Sequence, residues 1–234
     1  MLKRCFDFFC SSLGLLLTSP ILLSVMYKVW SEDKHSPFYI APRVGRNGHL
    51  FPMIKMRSMV INADLKGGSS TSNTDQRVTS VGHFIRKYKI DEITQLWNVL
   101  LGDMSLVGPR PQVQSGVDMY TPKERGLLAV RPGITDFASI VFADEGSILS
   151  AYANPDEAYD QLIRPGKSAL GLFYVDNQSF FVDIRLILLT ILAIISREKA
   201  LASVQSLLQK LGAKPNLIEL AGRRTPLSPE GANN

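Results

Sequence analysis

Cysteine and histidine are scarce in this chain, which argues against a disulfide framework and against a histidine-based metal site. The 234 residues contain two cysteines and three histidines. Cys5 and Cys10 both lie in the first apolar segment, which excludes a disulfide framework. His35, His49 and His83 are far apart and have no metal-binding spacing. The fold therefore depends on a hydrophobic core, for which 234 residues are enough.

Charged residues are also few, at 20%, against 45% hydrophobic residues, so the chain as a whole is not expected to be disordered. The net charge of +5 suits an anionic partner, such as nucleotide phosphates, acidic lipid headgroups or nucleic acid. The sequence lacks the basic and aromatic motif of RNA-binding strands and has no zinc spacing. Nucleic acid is therefore not an expected partner.

Long apolar runs are limited to two, and the first extends from about Cys5 to Trp30, just long enough to span a bilayer. Pro20 lies in its middle, where it removes a helical hydrogen bond, and Ser19 can satisfy the backbone group that is freed. Cations flank both ends: Lys3, Arg4, Lys28 and Lys34. Positive charge at both ends predicts that both face the cytoplasm. The segment is therefore interpreted as a re-entrant helix–break–helix, with the break at Ser19-Pro20.

A cleaved signal peptide and an ordinary spanning helix are the two alternative interpretations of this segment. A cleaved signal peptide needs small residues at its cleavage site, and residues 26–30 offer none. An ordinary spanning helix stays open on hydropathy alone.

The second apolar run, residues 183–196, is too short to span a bilayer. A buried core helix and an interfacial helix are both open, and flanking aromatics and cations favour the membrane surface. Residues 201–211 are amphipathic, and the polar tail from residue 212 is expected to be disordered.

Residues 36–57 predict a β-hairpin with a turn at residues 46–49. Lys55 and Arg57 fall on one face of the return strand, because side chains alternate along a strand. They are either solvated cations on an edge or part of a binding site. The polar stretch 62–80 predicts a loop that is either a surface connection or a lid.

The densest pattern surrounds the adjacent carboxylates Asp91 and Glu92. A short helix over residues 81–89 carries Arg86 toward this pair, and apolar residues at three- and four-residue spacing predict an amphipathic helix over residues 93–101. Unpaired N–H groups at a helix start stabilise a carboxylate or a bound phosphate. From the residues alone, Asp91 is either a helix cap or an ionised carboxylate that attacks phosphorus.

The motif Asp-Glu-x-x-Gln-Leu-Trp-Asn-Val-Leu-x-Gly-Asp-Met-Ser-Leu-Val-Gly-Pro-Arg-Pro at residues 91–111 closely resembles the signature of the bacterial sugar transferases. These are monotopic phosphoglycosyl transferases that start glycan assembly on polyprenol phosphate. The resemblance extends over shorter motifs at residues 55–59, 77–82, 131–135 and 173–183, and so from the N-terminus to about residue 197.

The resemblance implies transfer of a sugar 1-phosphate from a UDP-sugar to polyprenol (undecaprenyl) phosphate. Asp91 would attack the sugar-side phosphorus and release UMP, and Glu92 would bind a metal or orient Asp91. Breaking a pyrophosphate calls for Mg²⁺, with Asp91 and Glu92 as candidate ligands. The resemblance makes five cations candidates for binding substrate phosphates: Lys55, Arg57, Arg86, Arg110 and Arg131.

The predicted fold is α+β, helix-rich with a small β-hairpin, in a monotopic protein on the cytoplasmic face of the bacterial inner membrane. The expected parts are a membrane hairpin (1–30), a catalytic domain with interfacial helices (31–200), and an amphipathic helix with a polar tail (201–234). A homodimer is compatible with this arrangement, although no residue argues for it.

The chain departs from the family pattern at Asp136-Phe137, where many members have Gly-Trp. This departure leaves the catalytic motifs intact but argues against assigning the sugar from better-known relatives. The competing hypothesis is a catalytically inactive membrane-surface scaffold. The intact Asp91, Glu92 and Arg86 argue against it.

Overall fold

The computed structural model describes residues 2–65 and 75–223. Within them the chain forms two compact units. The first contains residues 2–65, 75–106 and 111–119, and the second contains residues 107–110 and 120–223. The predicted helix-rich fold with a small antiparallel sheet is confirmed. The three-part division of the chain at residues 30 and 200 stays a prediction.

The first unit contains five α-helices and most of three strands. The helices are α1 (Leu2–Asp33), α2 (Ser80–Lys87), α3 (Ile90–Ile93), α4 (Leu96–Leu101) and α5 (Gln114–Asp118). The strands are β1 (Phe38–Val44), β2 (Leu50–Met56) and β3 (Ser105–Val107), whose last residue belongs to the second unit.

The second unit is helical apart from β4 (Gly133–Thr135). Its α-helices are α6 (Phe137–Val141), α7 (Glu145–Leu149), α8 (Pro155–Ala158), α9 (Arg164–Asn177), α10 (Phe180–Ile195), α11 (Arg197–Lys210) and α12 (Pro215–Gly222). A 3-10 helix covers Glu124–Ala129, and a π-helix covers Tyr159–Ile163.

The predicted β-hairpin is confirmed. Strands β1 and β2 pair antiparallel in a register that runs from Phe38 opposite Met56 to Val44 opposite Leu50. The connection turns at Asn47, which has a φ of 58°, a left-handed conformation that asparagine tolerates better than most residues. The hairpin places Lys55 opposite Tyr39.

Side chains from the motif following Asp91 bind backbone groups of β2. The amide of Asn98 accepts a hydrogen bond from Ile54 N (2.9 Å) and donates one to Pro52 O (2.8 Å). Thr94 Oγ1 donates to Ile54 O (3.2 Å). Because both side chains are fully buried, these bonds satisfy strand groups that water does not reach. They fix the position of α3 and α4 against the hairpin.

Helix α1 buries one stripe in the first unit and exposes the opposite one. Leu15, Leu22, Val25 and Val29 pack in a cluster with residues of β2, α2 and α3. Large apolar side chains on the other face are exposed: Leu2, Phe9, Leu13, Leu16, Leu17, Ile21, Leu23 and Tyr27. Among the described residues, α1 is the helix long and apolar enough to cross a membrane.

The helix–break–helix predicted for the N-terminal segment is not seen in the structure. Helix α1 is instead a single helix with Pro20 inside it. Pro20 has no N–H to donate to Leu16 O, four residues earlier. The hydroxyl of Ser19 donates to that carbonyl instead, at 2.7 Å. The hydrogen bond expected of Ser19 is therefore present, and it allows the helix to continue. The re-entrant path in a membrane stays a prediction.

The single helix predicted over residues 93–101 is also wrong in form. Helix α3 ends at Ile93 and α4 begins at Leu96, and between them Gln95 N bonds to Glu92 O and Trp97 N to Thr94 O. These three-residue bonds tighten the backbone into a 3-10 joint. The apolar spacing contained no signal for the joint, and the face it predicted is not the buried one, because Trp97 and Leu101 are exposed while Thr94, Gln95 and Asn98 are buried.

In the second unit, two motif turns lie back to back. The N–H of Gly108 donates to Thr135 O (3.0 Å), and that of Gly133 donates to Pro109 O (3.0 Å). A Cβ built on Gly133 would lie 2.0 Å from Gly108 N, so this close approach requires glycine. Tyr174 OH bonds to Asp183 Oδ1 (2.6 Å) and thereby ties α9 to α10.

Three further predictions for this part of the chain need correction. The sequence also predicts a polar-faced helix over residues 113–130 with a break at Thr121-Pro122. The break is confirmed, but the parts on either side are shorter than predicted, namely α5 and a separate 3-10 helix. The sequence predicts a charged helix-and-turn segment over residues 154–167 that ends at Arg164-Pro-Gly166. In the structure these three residues begin α9, because proline is well tolerated in a first helical turn. The predicted disordered tail contains α12, and residues 224–234 lie outside the described part of the chain.

Candidate functional site

Asp91 and Glu92 lie in the first turn of α3, as the sequence predicts. Lys89 precedes this turn in a left-handed conformation (φ 55°), which reverses the chain between α2 and α3. Its ammonium group lies 3.9 Å from Glu92 Oε1. Thr94 Oγ1 also lies 2.9 Å from Asp91 O, so its single hydroxyl proton is shared between this carbonyl and Ile54 O, and the side chain ties the Asp91 backbone to β2. The hairpin and the 3-10 joint therefore position the acidic pair together.

Arg86, at the end of α2, lies near enough to Asp91 for the two charges to interact. Its guanidinium is partly buried, and burial lowers its pKa, while the nearby carboxylates of Asp91 and Asp75 oppose that shift. Arg86 Nε donates to Ser58 Oγ at 3.0 Å. Among the described residues, the guanidinium of Arg86 makes this one hydrogen bond. A desolvated guanidinium beside a carboxylate is suited to binding a phosphate group.

Arg57, in contrast, is committed to a structural contact. Its side chain is 7% exposed, and its two Nη groups donate to both carboxylate oxygens of Asp33 at 2.6 and 2.8 Å. Its Nε donates to Ser36 O (2.8 Å). The bidentate pair holds the last residue of α1 against the strand end. This geometry argues against the predicted role of Arg57 in binding substrate.

Lys55 lies half-buried on β2, next to the residue whose backbone is bound by Thr94 and Asn98. Its position within the first unit is therefore fixed by the same contacts that fix Asp91. A role in phosphate binding stays a prediction for Lys55.

Arg110 and Arg131 belong to the second unit, in the two turns that pack together at Gly108 and Gly133. Arg131 is exposed and Arg110 is half-buried. Asp136 is buried and caps α6 by accepting bonds from Ser139 N and Oγ, both at 2.7 Å. Burial raises the pKa of Asp136, while the Ser139 bonds and the charges of Lys167 and Arg110 oppose that shift. Phosphate binding by either arginine stays a prediction.

The donor set for a metal ion is small. Among residues 2–65 and 75–223, no group of three or more histidine, cysteine or acidic side chains is arranged to hold a metal. Asp91 and Glu92 would supply at most two carboxylates. This fits Mg²⁺, which is commonly bound by one or two carboxylates together with substrate phosphates and water.

Several residues that position this region were not singled out from the sequence. Arg4 donates to Val99 O (2.5 Å) and Leu100 O (2.7 Å), where it caps the C-terminal end of α4. Asp7 is buried and accepts a bond from Leu106 N (3.0 Å). A charged residue on an apolar segment is a usable signal for Asp7. Arg4 was interpreted only as a flanking cation.

The comparison with known protein families gives a match to the bacterial sugar transferase model over residues 1–197. The chain belongs to the bacterial sugar transferase family. The match covers the first unit of this sugar transferase, the second unit as far as residue 197, and all of the site residues named above, which confirms the resemblance seen in the motifs.

Curated relatives agree with this assignment. The chain is 34% identical over 214 residues to the undecaprenyl-phosphate galactose phosphotransferase of Salmonella typhimurium, and 37% over 200 residues to the undecaprenyl-phosphate glucose phosphotransferase of Komagataeibacter xylinus. These alignments cover 85% and 81% of this chain, but only 41% and 35% of the relatives. The exopolysaccharide production protein ExoY of Rhizobium meliloti is 34% identical, with 83% of this chain and 85% of the relative covered.

Proposed function

We propose that this sugar transferase moves a sugar 1-phosphate from a UDP-sugar to undecaprenyl phosphate and releases UMP, as the first step of bacterial glycoconjugate assembly. The observation that carries the proposal is the placement of Arg86 beside Asp91, with its Nε fixed by Ser58. The names of the relatives support undecaprenyl phosphate as the acceptor and a sugar phosphate as the transferred group.

Two displacements at phosphorus account for the transfer. An Asp91 carboxylate oxygen forms a bond to the sugar-linked phosphorus, and the bond from that phosphorus to UMP breaks, with its electron pair leaving on UMP. A phosphate oxygen of undecaprenyl phosphate then attacks the same phosphorus and releases the Asp91 carboxylate. In each step, the positive charge of Arg86 stabilises the negative charge on the phosphoryl oxygens.

Asp91 and the adjacent Glu92 are together the candidate carboxylate ligands for Mg²⁺. Bound there, the ion would neutralise the pyrophosphate of the donor. Lys89, 3.9 Å from Glu92, keeps the local charge from being strongly negative when no substrate is present. Glu92 would bind the metal or orient Asp91, and Asp91 would attack phosphorus.

We also propose that the protein is monotopic, on the cytoplasmic face of the inner membrane, with α1 as its anchor. Both ends of α1 are fastened to the first unit, by Arg4 to the end of α4 and by Asp33 to Arg57. A helix whose two ends bind one folded unit keeps both ends on the side of the membrane where that unit lies. The exposed apolar face between them would enter the lipid.

Helix α10 supports a second contact with lipid. It buries Val182, Asp183, Leu186 and Leu189 within its own unit and exposes Phe181, Leu188, Ile191, Ile194 and Ile195. Arg185 and Lys199 are exposed near this apolar face. A one-sided apolar helix with neighbouring cations is typical of an interfacial helix. A site at headgroup level would suit an acceptor whose lipid tail stays in the bilayer.

The main test uses purified protein in lipid nanoparticles with Mg²⁺ and a panel of UDP-sugars. We expect the native protein to release UMP with one donor and to gain the mass of a sugar phosphate before acceptor is added. Asp91→Asn should lower UMP release at least a thousandfold and show no adduct, because an amide is a poor nucleophile toward phosphorus.

Arg57→Gln is the matched control, since it changes a cation of the same region that is not proposed to touch substrate. It should retain adduct formation in the folded fraction. Activity that survives in Asp91→Asn would contradict the mechanism. If no donor supports UMP release even with undecaprenyl phosphate present, an inactive scaffold of the same fold becomes the better account.

A further inference from the structure

The hydrogen bond between Ser58 Oγ and Arg86 Nε constrains how the guanidinium can be used. A guanidinium donates through Nε and two Nη groups that lie in one plane. Once Nε is bound to Ser58 at 3.0 Å, rotation of this plane is restricted. Among the described residues, the Nη groups donate no hydrogen bond, so they stay available for an anion beside Asp91.

Ser58 is itself held rigidly. Its carbonyl accepts a bond from Thr79 N (3.1 Å), and Val60 N bonds to Arg77 O (2.9 Å), so residues 58–60 and 77–79 form a short antiparallel bridge. A Cβ on Gly82 would lie 1.9 Å from Ser58 O. The start of α2 is therefore packed directly on the Ser58 backbone, and the distance from Ser58 to Arg86 is fixed within one rigid piece.

A buried ion pair reinforces this bridge. Arg77 Nη2 lies 2.7 Å from Asp75 Oδ2, and Arg77 Nη1 donates to Ala63 O at 3.1 Å. The side chains of both partners are less than 15% exposed. Hydrogen bonds from Arg77 lower the pKa of Asp75, so this carboxylate stays charged near Arg86. Ser58, Asp75 and Arg77 are referred to below as the Arg86 support.

We propose that Ser58 is a positioning residue for the sugar-phosphate transfer, and that it acts by holding Arg86 so that its Nη groups bind the donor phosphates. The proposal rests on the proposed function, because it takes Arg86 as the phosphate-binding cation. It assigns Ser58 no contact with substrate. The rest of the Arg86 support keeps Ser58 in place.

A double-mutant cycle separates this role from a general structural one. We expect Ser58→Ala to lower kcat/KM for the UDP-sugar and to weaken UDP affinity, each by about fivefold, since one hydrogen bond to a charged group is lost. In an Arg86→Gln background, the same change should alter either quantity by less than about twofold. Thermal unfolding of each variant shows whether the fold is retained.

Ser105→Ala is the matched control, because Ser105 is another fully buried serine of the first unit, and its hydroxyl has no hydrogen-bond partner among the described residues. It should leave kcat/KM and UDP affinity unchanged. If Ser58→Ala does not fold, the near-isosteric Ser58→Cys should show a smaller loss with the same dependence on Arg86, because sulfur is a weak acceptor.

The outcomes distinguish the two proposals. An equal loss in both backgrounds, or no loss from Ser58→Ala, overturns the positioning role while leaving the proposed function intact. Absence of UMP release with every donor overturns the proposed function, and UDP affinity, measured by calorimetry, still tests the coupling of Ser58 to Arg86. Absence of both UMP release and UDP binding in the native protein overturns both.

Discussion

The ion pair between Asp33 and Arg57 makes the end of α1 sensitive to acid. Bonds from Arg57, and a weaker one from His35 N, lower the pKa of Asp33 to about 2. A carboxyl group with a lowered pKa stabilises the fold above its unfolded pKa, near 3.9, and that contribution is lost as pH falls toward 2. We therefore expect the melting temperature to fall steeply between about pH 4 and pH 2.

Thermal unfolding of the native protein and Asp33→Asn in detergent tests this expectation. The variant should melt lower than the native protein at pH 6, with a shallower dependence on pH below 4. Asp64→Asn removes an exposed carboxylate and should leave the native pH dependence unchanged. If the melting temperatures of the native protein and Asp33→Asn depend on pH in the same way, the ion pair contributes nothing to the pH dependence of stability.

Arg57 and Arg86 show what sequence could and could not decide at this scale. Both are arginines in motifs of the same family, and both were predicted to bind phosphate. The structure separates them by their partners, since Arg57 is bound by a carboxylate 24 residues earlier and Arg86 by a serine hydroxyl. The sequence identifies a family motif and its chemistry, but the partner that each cation binds is determined by packing between distant segments.

At the scale of elements, Asn98 joins α4 to β2 and should contribute strongly to stability. Truncation to alanine would leave Ile54 N and Pro52 O buried without their partner. Each such group costs about 1–3 kcal/mol, so we expect Asn98→Ala to lower the free energy of unfolding by about 2–4 kcal/mol. Denaturant unfolding in micelles measures this change.

Asn177→Ala provides the comparison for Asn98→Ala. Asn177 is half-buried and its amide donates only to Phe173 O of its own helix, at 2.9 Å. Its loss should cost less than about 1 kcal/mol. If the two substitutions lower the free energy of unfolding equally, the hydrogen bonds of Asn98 to β2 stabilise the fold no more than the bond of Asn177 within its own helix.

Ser19 and Pro20 should be energetically coupled within α1. Ser19→Ala removes the donor to Leu16 O, and in lipid no water replaces it. Pro20→Ala restores a backbone N–H that can bond to the same carbonyl. We therefore expect Ser19→Ala to lower the melting temperature in lipid nanoparticles when Pro20 is present, and to have little effect in Pro20→Ala.

Ser12→Ala is the control, because its hydroxyl donates to Phe8 O in a turn without proline. That substitution should have the same small effect in both backgrounds. If the effect of Ser19→Ala is equally large with alanine at position 20, the hydroxyl is not compensating for the missing N–H.

These elements also show how much of the structure the periodic spacing of apolar residues can predict. The spacing of apolar residues correctly predicted that α1, the hairpin and the region after Asp91 are ordered, but not which residues after Asp91 face inward, since Trp97 and Leu101 are exposed and Thr94, Gln95 and Asn98 are buried. It did not predict the joint between α3 and α4 or the continuity of α1 through Pro20. The joint depends on the side chains of Thr94 and Asn98, and the continuity of α1 depends on that of Ser19. In each case local geometry determines which backbone group the side chain binds.

At the scale of the whole molecule, the contacts at the two ends of α1 are the basis of the proposed monotopic topology. At about 1.5 Å per residue, the 32-residue helix is about 48 Å long, enough to cross a bilayer core of about 30 Å. Crossing would put Arg4 and Asp33 on opposite faces. Because the first unit lies on one face only, one of the two would then lose its partner, leaving either the carbonyls at the end of α4 or the buried Arg57 without it.

Cysteine labelling in intact bacterial cells tests this topology directly. In a background of Cys5→Ser and Cys10→Ser, we introduce Leu2→Cys or His35→Cys, one on each side of the apolar stretch at an exposed position. Both should resist a membrane-impermeant maleimide added to cells and react once the cells are lysed. Reaction of either cysteine in intact cells would place that end outside the cytoplasm and overturn the monotopic proposal, whereas protection of both would leave no spanning arrangement of α1 consistent with the data.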